Sequence, residues 1–158
     1  MRKSKVYKKH PVQPDPVYND LIVGKFVNHL MRDGEKLVAF KIFYKALGIV
    51  EEKTKKNGLD IFMKALENVA PSVEIKRRRV GGSTSQVSVD IRPCRAKFLS
   101  MTFIIKCAAK RSEKTMPVKL ANEIIAAYNG EGEAVKKKEE IHKMASSNKQ
   151  NFVPTKSR

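Results

Sequence analysis

The sequence contains no tryptophan, only two cysteines and only three histidines, so the residues that most often build metal and redox centres are scarce. Cys94 and Cys107 form no Cys-x-x-Cys pair, and we expect two free thiols in a reducing compartment. His10, His29 and His142 are scattered along the chain, and neither a His-Glu-x-x-His motif nor a calcium-binding loop is present. The sequence therefore predicts no metal site and no cofactor.

Groups that could carry catalysis are also sparse. The segment at 81–84, GGST, lacks the spacing of a phosphate-binding loop, and a glycine turn explains it better. Acidic residues do not cluster as they do in two-metal nucleases. We therefore predict that the chain is not an enzyme and has no catalytic residues. A nuclease is the weakest alternative, and it would require metal-dependent cleavage.

Long apolar runs are missing as well. The longest, at 98–105, includes Ser100 and Thr102 and is far shorter than the roughly 20 residues that a membrane span needs. The N-terminus is basic but lacks the apolar segment of a signal peptide. We therefore expect no membrane partner and no export from the compartment in which the chain is made.

Negative charge is the other shortage. Sixteen Asp and Glu oppose thirty-three Lys and Arg, which leaves a formal net charge of +17 and a pI of about 10.0. A surplus of this size destabilises a compact chain by self-repulsion and favours a polyanionic partner. The 158 residues, 41% of them hydrophobic, suffice for one ordinary globular domain. Nucleic acid is the expected partner.

Apolar residues recur at helical spacing in six segments, so the sequence predicts a mainly α-helical single domain. The predicted helices span residues 20–32, 35–53, 59–69, 93–111, 117–128 and 133–147. Asn19 or Asp20 can cap the first of them, and Thr115 can cap the fifth. The fourth carries apolar side chains around most of its circumference, and we expect it to be the most buried helix.

Residues 73–92 depart from the helical pattern and read as two short strands joined by a Gly-Gly turn. Val87, Val89 and Ile91 alternate with polar residues, as in a half-buried strand. The outer half carries four adjacent cations, Lys76, Arg77, Arg78 and Arg79. Because such a run projects from both faces, neither face can enter an apolar core. We expect a β-ribbon that protrudes between the third and fourth helices and meets a polyanion. The alternative is an edge hairpin with a solvated charge run.

Positive charge also recurs outside the ribbon. Residues 1–10 carry five Lys and Arg and no acid, and three prolines then keep the backbone extended, so 1–18 is predicted to be a basic arm. A disordered solubilising tail is the alternative. Further cations lie at both ends of the fourth helix, around Lys114 and on the last helix. Such a spread suits folded RNA, whereas DNA regulators usually concentrate contacts on one recognition helix. A helical DNA-binding regulator remains the rival hypothesis.

Short motifs follow one another along the chain in a defined order. They are PDP at 14–16, KFVNHLMRDG at 25–34, LENVAPSVEIKRRRVGGST at 66–84, IRP at 91–93, KRSEKTM at 110–116, LANE at 120–123 and AVKKKEEIHKMA at 134–145. Over about residues 11–149 this series resembles the seventh small-subunit ribosomal protein family, of the bacterial or organellar type. Three features depart from that resemblance. Arg77 replaces a small polar residue, and Ser85 and Ser88 stand where the family often has tyrosine and proline. The C-terminal end at 150–158 lacks the aromatic ending typical of bacterial relatives, so contacts of that tail are not carried over.

The resemblance implies a structural constituent of the small ribosomal subunit, located in the cytoplasm or in an organelle. It also implies direct binding to the 3′ major domain of small-subunit rRNA, nucleation of head assembly, and contacts with neighbouring head and platform proteins. The implied organisation is the basic arm 1–18, an rRNA-binding helical domain 19–149 that holds the ribbon, and a flexible tail 150–158.

The resemblance and the charge pattern together give two sets of predicted site residues. The ribbon residues expected near exit-site tRNA and mRNA are Lys76, Arg77, Arg78, Arg79, Gly81, Gly82, Ser83 and Thr84. The predicted rRNA-binding residues are Arg2, Lys3, Lys5, Lys8, Lys9, Arg32, Lys36, Arg92, Arg95, Lys97, Lys110, Arg111, Lys114, Lys136, Lys137, Lys138 and His142.

Overall fold

The computed structural model describes residues 13–80 and 82–147, with the backbone alone at Val80, Ser83 and Ser85. These ranges contain six α-helices and one two-stranded antiparallel sheet, which is inserted between the third and fourth helices. The elements are α1 (Leu21–Leu30), α2 (Lys36–Thr54), α3 (Gly58–Val69), β1 (Val73–Val80), β2 (Ser83–Asp90), α4 (Pro93–Lys110), α5 (Met116–Asn129) and α6 (Glu133–Ser147). The prediction of a mainly α-helical fold with one β-ribbon is therefore confirmed. No helix in the described ranges combines the length and apolarity needed to cross a bilayer.

The chain divides into two compact units, Met1–Phe40 and Lys41–Arg158. In the first unit, Asp20 caps α1 by accepting a hydrogen bond from the backbone N–H of Ile22, which selects Asp20 over Asn19. The helix ends at Leu30, earlier than predicted, because Met31, whose N–H makes the last helical hydrogen bond to the carbonyl of Val27, has an extended ψ of 135°. Arg32 therefore follows the helix instead of closing it.

In the second unit, the core is formed mainly by apolar side chains of α2, α3, α4 and α5. The rings of Phe43 and Phe62 meet edge to face, with centroids 5.2 Å apart, and both are fully buried. Leu47, Ile61, Ile104, Leu120 and Ile124 are also among the large side chains that are almost wholly buried. These contacts bury the apolar stripes that the helical periodicity predicts.

The expectation that α4 is the most buried helix is wrong. Met101 and Ile104 are buried, but Phe98 is 38% exposed and Phe103 and Ile105 are only half-buried. The helix packs against α3, α5 and α6. Apolar residues around the whole circumference therefore did not imply burial on every side. At the next helix, Thr115 occupies the predicted cap position of α5, but its side chain makes no capping hydrogen bond there.

A buried carboxylate joins α4, α5 and α6. Glu123 of α5 is fully buried and accepts hydrogen bonds from Nε of Arg111, at 2.7 Å, and from the N–H of Ala134, at 2.9 Å. Arg111 closes the C-terminal end of α4, and Ala134 lies in the first turn of α6. A carboxylate at a helix start satisfies an N–H group and interacts favourably with the helix dipole. The single side chain thus connects the ends of two helices to the middle of a third.

Two further features show how closely this junction is packed. A Cβ atom added at Gly132 would lie 3.0 Å from Oε1 of Glu123 and 3.1 Å from the backbone nitrogen of Ala127, so a larger residue would press these neighbours slightly apart. Burial alone would lower the pKa of Arg111, but the hydrogen bonds and negative charges of Glu123 and Glu113 raise it above its usual value. The guanidinium of Arg111 therefore remains charged, and its charge is used in contacts within the protein.

The base of the ribbon is covered by α6. The hydroxyl of Ser88 donates to the carbonyl of Ala145 in α6 at 3.2 Å, and Ser88 is buried together with Val87 and Val89. The alternation predicted for this strand holds for Val87, Val89 and the exposed Asp90 but not for Ser88, because α6 covers the strand at Ser88. A proline at this position, common in the family that the sequence resembles, has no hydroxyl and could not donate this hydrogen bond.

Additional contacts fix the chain just before the ribbon. The backbone N–H of Ser72 donates to Nε2 of His142 at 3.2 Å, and Nζ of Lys138 donates to the carbonyl of Asn68 at 2.8 Å. The Asn68 amide in turn donates to the carbonyls of Ala127 and Tyr128 at the end of α5. The root of the ribbon is thus bonded to α6, and the preceding helix is bonded to α5.

Replacing Glu123 with Gln tests the junction of the three helices. The change keeps an acceptor for the Ala134 N–H but leaves the charge of Arg111 without its buried partner. We expect the free energy of unfolding to fall by about 1.5–3 kcal/mol, as for hydrogen bonds to charged groups. Urea denaturation followed by circular dichroism measures the change. Glu139→Gln, an equal charge change on the exposed side of α6, should alter stability by no more than about 0.5 kcal/mol. Equal effects of the two variants would contradict this account of the junction.

The contact between Ser72 and His142 predicts a dependence of stability on pH. Burial, and secondarily the charge of Lys138, lowers the pKa of His142 from its ordinary 6.5, which keeps Nε2 able to accept. A lowered pKa in the folded state contributes stability above the unfolded-state value, and this stability is lost as pH falls through the folded-state pKa.

We therefore expect the wild type to lose more unfolding free energy than His142→Gln between about pH 7.5 and about pH 5. The difference should be at most about 1 kcal/mol, because the ring is partly solvated. Urea denaturation at several pH values measures this difference. Identical pH profiles for the two proteins would show that His142 does not contribute.

Candidate nucleic-acid interface

The outer half of the ribbon carries the densest positive charge in the described chain. Arg77 and Arg79 lie on one face of β1 and Lys76 and Arg78 on the other, since successive strand residues alternate. All four are exposed, in agreement with the prediction that they cannot enter a core. The register pairs Arg77 with Gln86, Arg78 with Ser85 and Arg79 with Thr84, so no acid lies opposite the three arginines. The ribbon therefore offers guanidinium groups on both sides to a surrounding polyanion.

The turn at the tip fits the predicted glycine turn. The strands are joined by two residues between Val80 and Ser83, and Gly82 adopts a positive φ of 87°. Glycine adopts such a conformation without steric cost, which suits a two-residue hairpin. Thr84 is exposed on β2. Gly81 and the side chain of Ser83, both predicted ribbon residues, lie outside the described part.

Eight of the predicted cations in the second unit are exposed and make no ion pair within residues 41–80 and 82–147. They are Arg77, Arg78, Arg79, Arg92, Lys97, Lys110, Lys114 and Lys136. Three lie on the ribbon, two at the start of α4, two around the loop between α4 and α5, and one on α6. These side chains can exchange water for phosphate oxygens without breaking a contact that stabilises the fold.

Five other predicted site residues are engaged with the protein itself. Arg111 and His142 make the structural contacts described above, as does Lys138. Arg95 pairs with Glu74 at 2.9 Å, and Lys137 lies 4.0 Å from Glu140. Lys76 is intermediate, because its ammonium lies 3.8 Å from Glu74 while half of its side chain is exposed. The structure therefore separates the predicted cations into free and engaged groups.

The remaining predicted residues belong elsewhere. In the first unit Arg32 is exposed, and Nζ of Lys36 lies 5.6 Å from the centroid of the Phe40 ring. Arg2, Lys3, Lys5, Lys8 and Lys9 lie outside the described residues.

Sequence reasoning missed the polar residues that hold the engaged cations. Glu74 is the one acid of β1, and its position amid basic residues was the available signal. Glu123 and Asn68 gave no signal, because their partners lie far away along the chain. The lysines near the end of α2 were also not singled out. There, Nζ of Lys53 donates to the side-chain oxygen of Asn122 at 2.6 Å, and Nζ of Lys56 lies 5.6 Å from the centroid of the Tyr128 ring.

Both cysteines are free, as predicted. Cys94 is exposed, whereas burial, assisted by the charges of Glu123 and Glu133, raises the pKa of the Cys107 thiol to about 11. Cys107 is therefore protonated near neutral pH and unreactive. Within the described ranges, no group of three or more His, Cys, Asp and Glu side chains is placed to hold a metal ion.

Comparison with known proteins gives a consistent result. Residues 1–149 match the family described as ribosomal protein S7p/S5e. The chain is 52% identical over 149 residues to a protein of Cytophaga hutchinsonii, covering 94% of this chain and 96% of that one. It is 53% identical over 142 residues to a protein of Amoebophilus asiaticus, with 90% and 92% covered. It is 52% identical over 152 residues to one of Porphyromonas gingivalis, with 94% and 96% covered.

All three of these relatives carry the name small ribosomal subunit protein uS7. The resemblance inferred from the ordered motifs is thereby confirmed, since the matched region includes all of them. The chain belongs to the ribosomal protein S7p/S5e family.

Proposed function

We propose that this chain is a structural protein of the small ribosomal subunit, without catalytic activity, that binds small-subunit ribosomal RNA directly. Family membership supports the ribosomal role. The observation that carries direct RNA binding is the set of eight exposed cations on the ribbon, α4, the following loop and α6, which make no ion pair with any described residue of the second unit. Such a distribution neutralises phosphates that approach from several directions, as they do in folded RNA.

The helical core gives these cations fixed spacings. The Glu123 junction holds the end of α4 and the start of α6 against α5, and thereby positions Lys110, Lys114 and Lys136. The pair between Arg95 and Glu74 joins α4 to β1 and thereby relates Arg92 and Lys97 to the ribbon arginines. A rigid array of charges selects an RNA whose phosphates are already close together, because fewer side chains must be ordered on binding.

Several finer statements belong to the same proposal. The RNA partner is the 3′ major domain of small-subunit rRNA, and binding there nucleates assembly of the subunit head. The ribbon, residues 76–84 above all, lies near exit-site tRNA and mRNA, and neighbouring head and platform proteins contact the body. The arm 1–18 and the tail 150–158 flank the RNA-binding domain, and the ribosome concerned is cytoplasmic and of bacterial type. Co-sedimentation with the small subunit from cell lysates in moderate salt tests the proposal as a whole.

Direct binding to RNA phosphates predicts an affinity that depends strongly on salt concentration. If about 6–10 phosphates are contacted, affinity for a transcript of the 3′ major domain should fall by roughly 10³–10⁵ between about 50 and about 200 mM salt. Filter binding across this range measures the slope, and duplex DNA of equal length serves as competitor. An affinity that barely responds to salt, or a preference for duplex DNA, would contradict the proposal.

The contribution of the ribbon arginines to RNA affinity can be tested separately. Replacing Arg78 and Arg79 with Ala removes two exposed charges from opposite faces of β1. We expect weaker binding to the transcript and a salt slope smaller by about 2, with unfolding free energy unchanged within about 0.5 kcal/mol. Lys41→Ala with Lys45→Ala is the control, since it removes two exposed cations of α2 that are not predicted site residues. Equal losses of affinity in both double variants would show that the ribbon arginines contribute only general electrostatic attraction to RNA.

A further inference from the structure

The loop between α4 and α5, residues 111–115, carries an acid beside two cations of the proposed RNA interface. Lys110 ends α4 and Lys114 lies within the loop, and both are exposed without an ion pair in the described part of the second unit. Glu113 lies between them in sequence. Because its charge repels phosphate, an acid at this place weakens the attraction to RNA unless it has a structural use.

The Glu113 side chain is turned toward the protein. Only 25% of it is exposed, and Oε2 is withdrawn from water without a hydrogen-bond partner among residues 41–80 and 82–147. Withdrawing an acceptor from water without a partner costs free energy, so other contacts of the same carboxylate must hold this orientation. Those contacts are made by Oε1.

Two donors hold Oε1 of Glu113. It accepts a hydrogen bond from Nδ2 of Asn122 at 2.9 Å and another from NH1 of Arg111 at 3.3 Å. The hydrogen bond from Asn122 is the main reason that the pKa of the Glu113 carboxyl lies below its ordinary value, so the group is ionised near neutral pH. The loop is thereby tied to α5 and to the end of α4.

Asn122 extends this connection to a third helix. Its Oδ1 accepts a hydrogen bond from Nζ of Lys53, in α2, at 2.6 Å. An ammonium can only donate and an ionised carboxylate can only accept, and an amide, which has one donor end and one acceptor end, can bridge the two. Thr115 makes no capping hydrogen bond with its side chain, so the tie through Glu113 is not duplicated by a side-chain cap at the start of α5.

We propose that Glu113 and Asn122 are positioning residues of the RNA interface, which hold the loop at 111–115 so that Lys110 and Lys114 contact RNA phosphates together. The inference rests on the proposed RNA-binding function and adds to it an acid and an amide. Glu113 pairs with Arg111, which also pairs with Glu123, and it neutralises neither lysine. A loop that is fixed before RNA arrives needs less ordering on binding.

Asn122→Leu tests the proposal because it breaks the bridge without changing any charge. If charge alone decides, affinity for the 3′ major domain transcript should match that of the wild type. We expect instead a loss of roughly 8-fold if one lysine no longer meets its phosphate, and roughly 60-fold if both do not, at about 0.1 M salt. The slope of log affinity against log salt should become shallower by about 0.9 for each lysine. Filter binding with the full chain measures both quantities.

Glu113→Ala separates positioning from charge by the sign of its effect. Removing an acid makes the protein more positive, so general electrostatics predicts tighter binding to RNA. Release of the loop predicts weaker binding with a shallower salt slope, and this is the expected result. Glu131→Ala is the matched control, since it removes an exposed acid outside the bridge, and it should bind RNA at least as tightly as the wild type.

Combined variants separate a local effect on the loop from a general loss of structure. Lys114→Ala should lower the affinity of the wild type, but it should have little further effect in Asn122→Leu. The double change Arg78→Ala with Arg79→Ala should cost the same in both backgrounds, because other contacts hold the ribbon. Urea denaturation verifies that the variants are folded, and the same combinations with Glu113→Ala serve if Asn122→Leu does not fold.

The outcomes distinguish this inference from the function on which it rests. A salt-dependent wild type together with an Asn122→Leu variant of equal affinity and slope would overturn the positioning role and leave the proposed function standing. Tighter binding by Glu113→Ala, or an equal cost of Lys114→Ala in both backgrounds, would overturn it in the same way. A wild type that does not bind the transcript would overturn both.

Discussion

The interaction on which the structure most depends is the burial of one carboxylate in a chain with a strong excess of positive charge. Moving an ionised acid out of water is costly unless charged and hydrogen-bonding partners replace the solvent. Glu123 has both, because Arg111 and the Ala134 N–H meet it at the junction of three helices. The contact is specific in geometry, whereas apolar packing alone would allow the helices to slide. The three cations around the junction, Lys110, Lys114 and Lys136, therefore keep defined separations even when no partner is bound.

Several of the few acidic residues hold elements of the fold together. Glu74 and Glu123 each hold one arginine that ties a helix to another element, and Glu113 gives Arg111 a second partner at 3.3 Å. Acids that are used for such ties are not available to neutralise the surface. Eight predicted cations of the second unit stay exposed, make no ion pair within residues 41–80 and 82–147, and can meet phosphate. The excess of basic over acidic residues thus has two consequences. A few acids pair with arginines and hold elements of the fold together, and many cations are left for binding.

Much of this could be predicted from the sequence, and the failures share a cause. Helix positions and the ribbon follow from periodicity and turn residues, because these are local properties of the chain. Whether a cation is free depends on partners that are distant in sequence, as for Lys138 with Asn68 and His142 with Ser72. The burial of Ser88 likewise depends on α6, which follows some fifty residues later. Charge could therefore be located from the sequence, but its division between packing and binding could not.

The last helix has a consequence for how the family can vary. Its first turn is bonded to Glu123 through the N–H of Ala134, and its far end receives Ser88 at the carbonyl of Ala145. Ala145 lies eleven positions after Ala134, about 16 Å along the axis, and one residue more or less would turn the far end by about 100°. The length of α6 between the two anchors therefore fixes where and in which direction the ribbon is held. An insertion or deletion between the anchors would redirect the ribbon and would also displace Lys138 and His142 from Asn68 and Ser72.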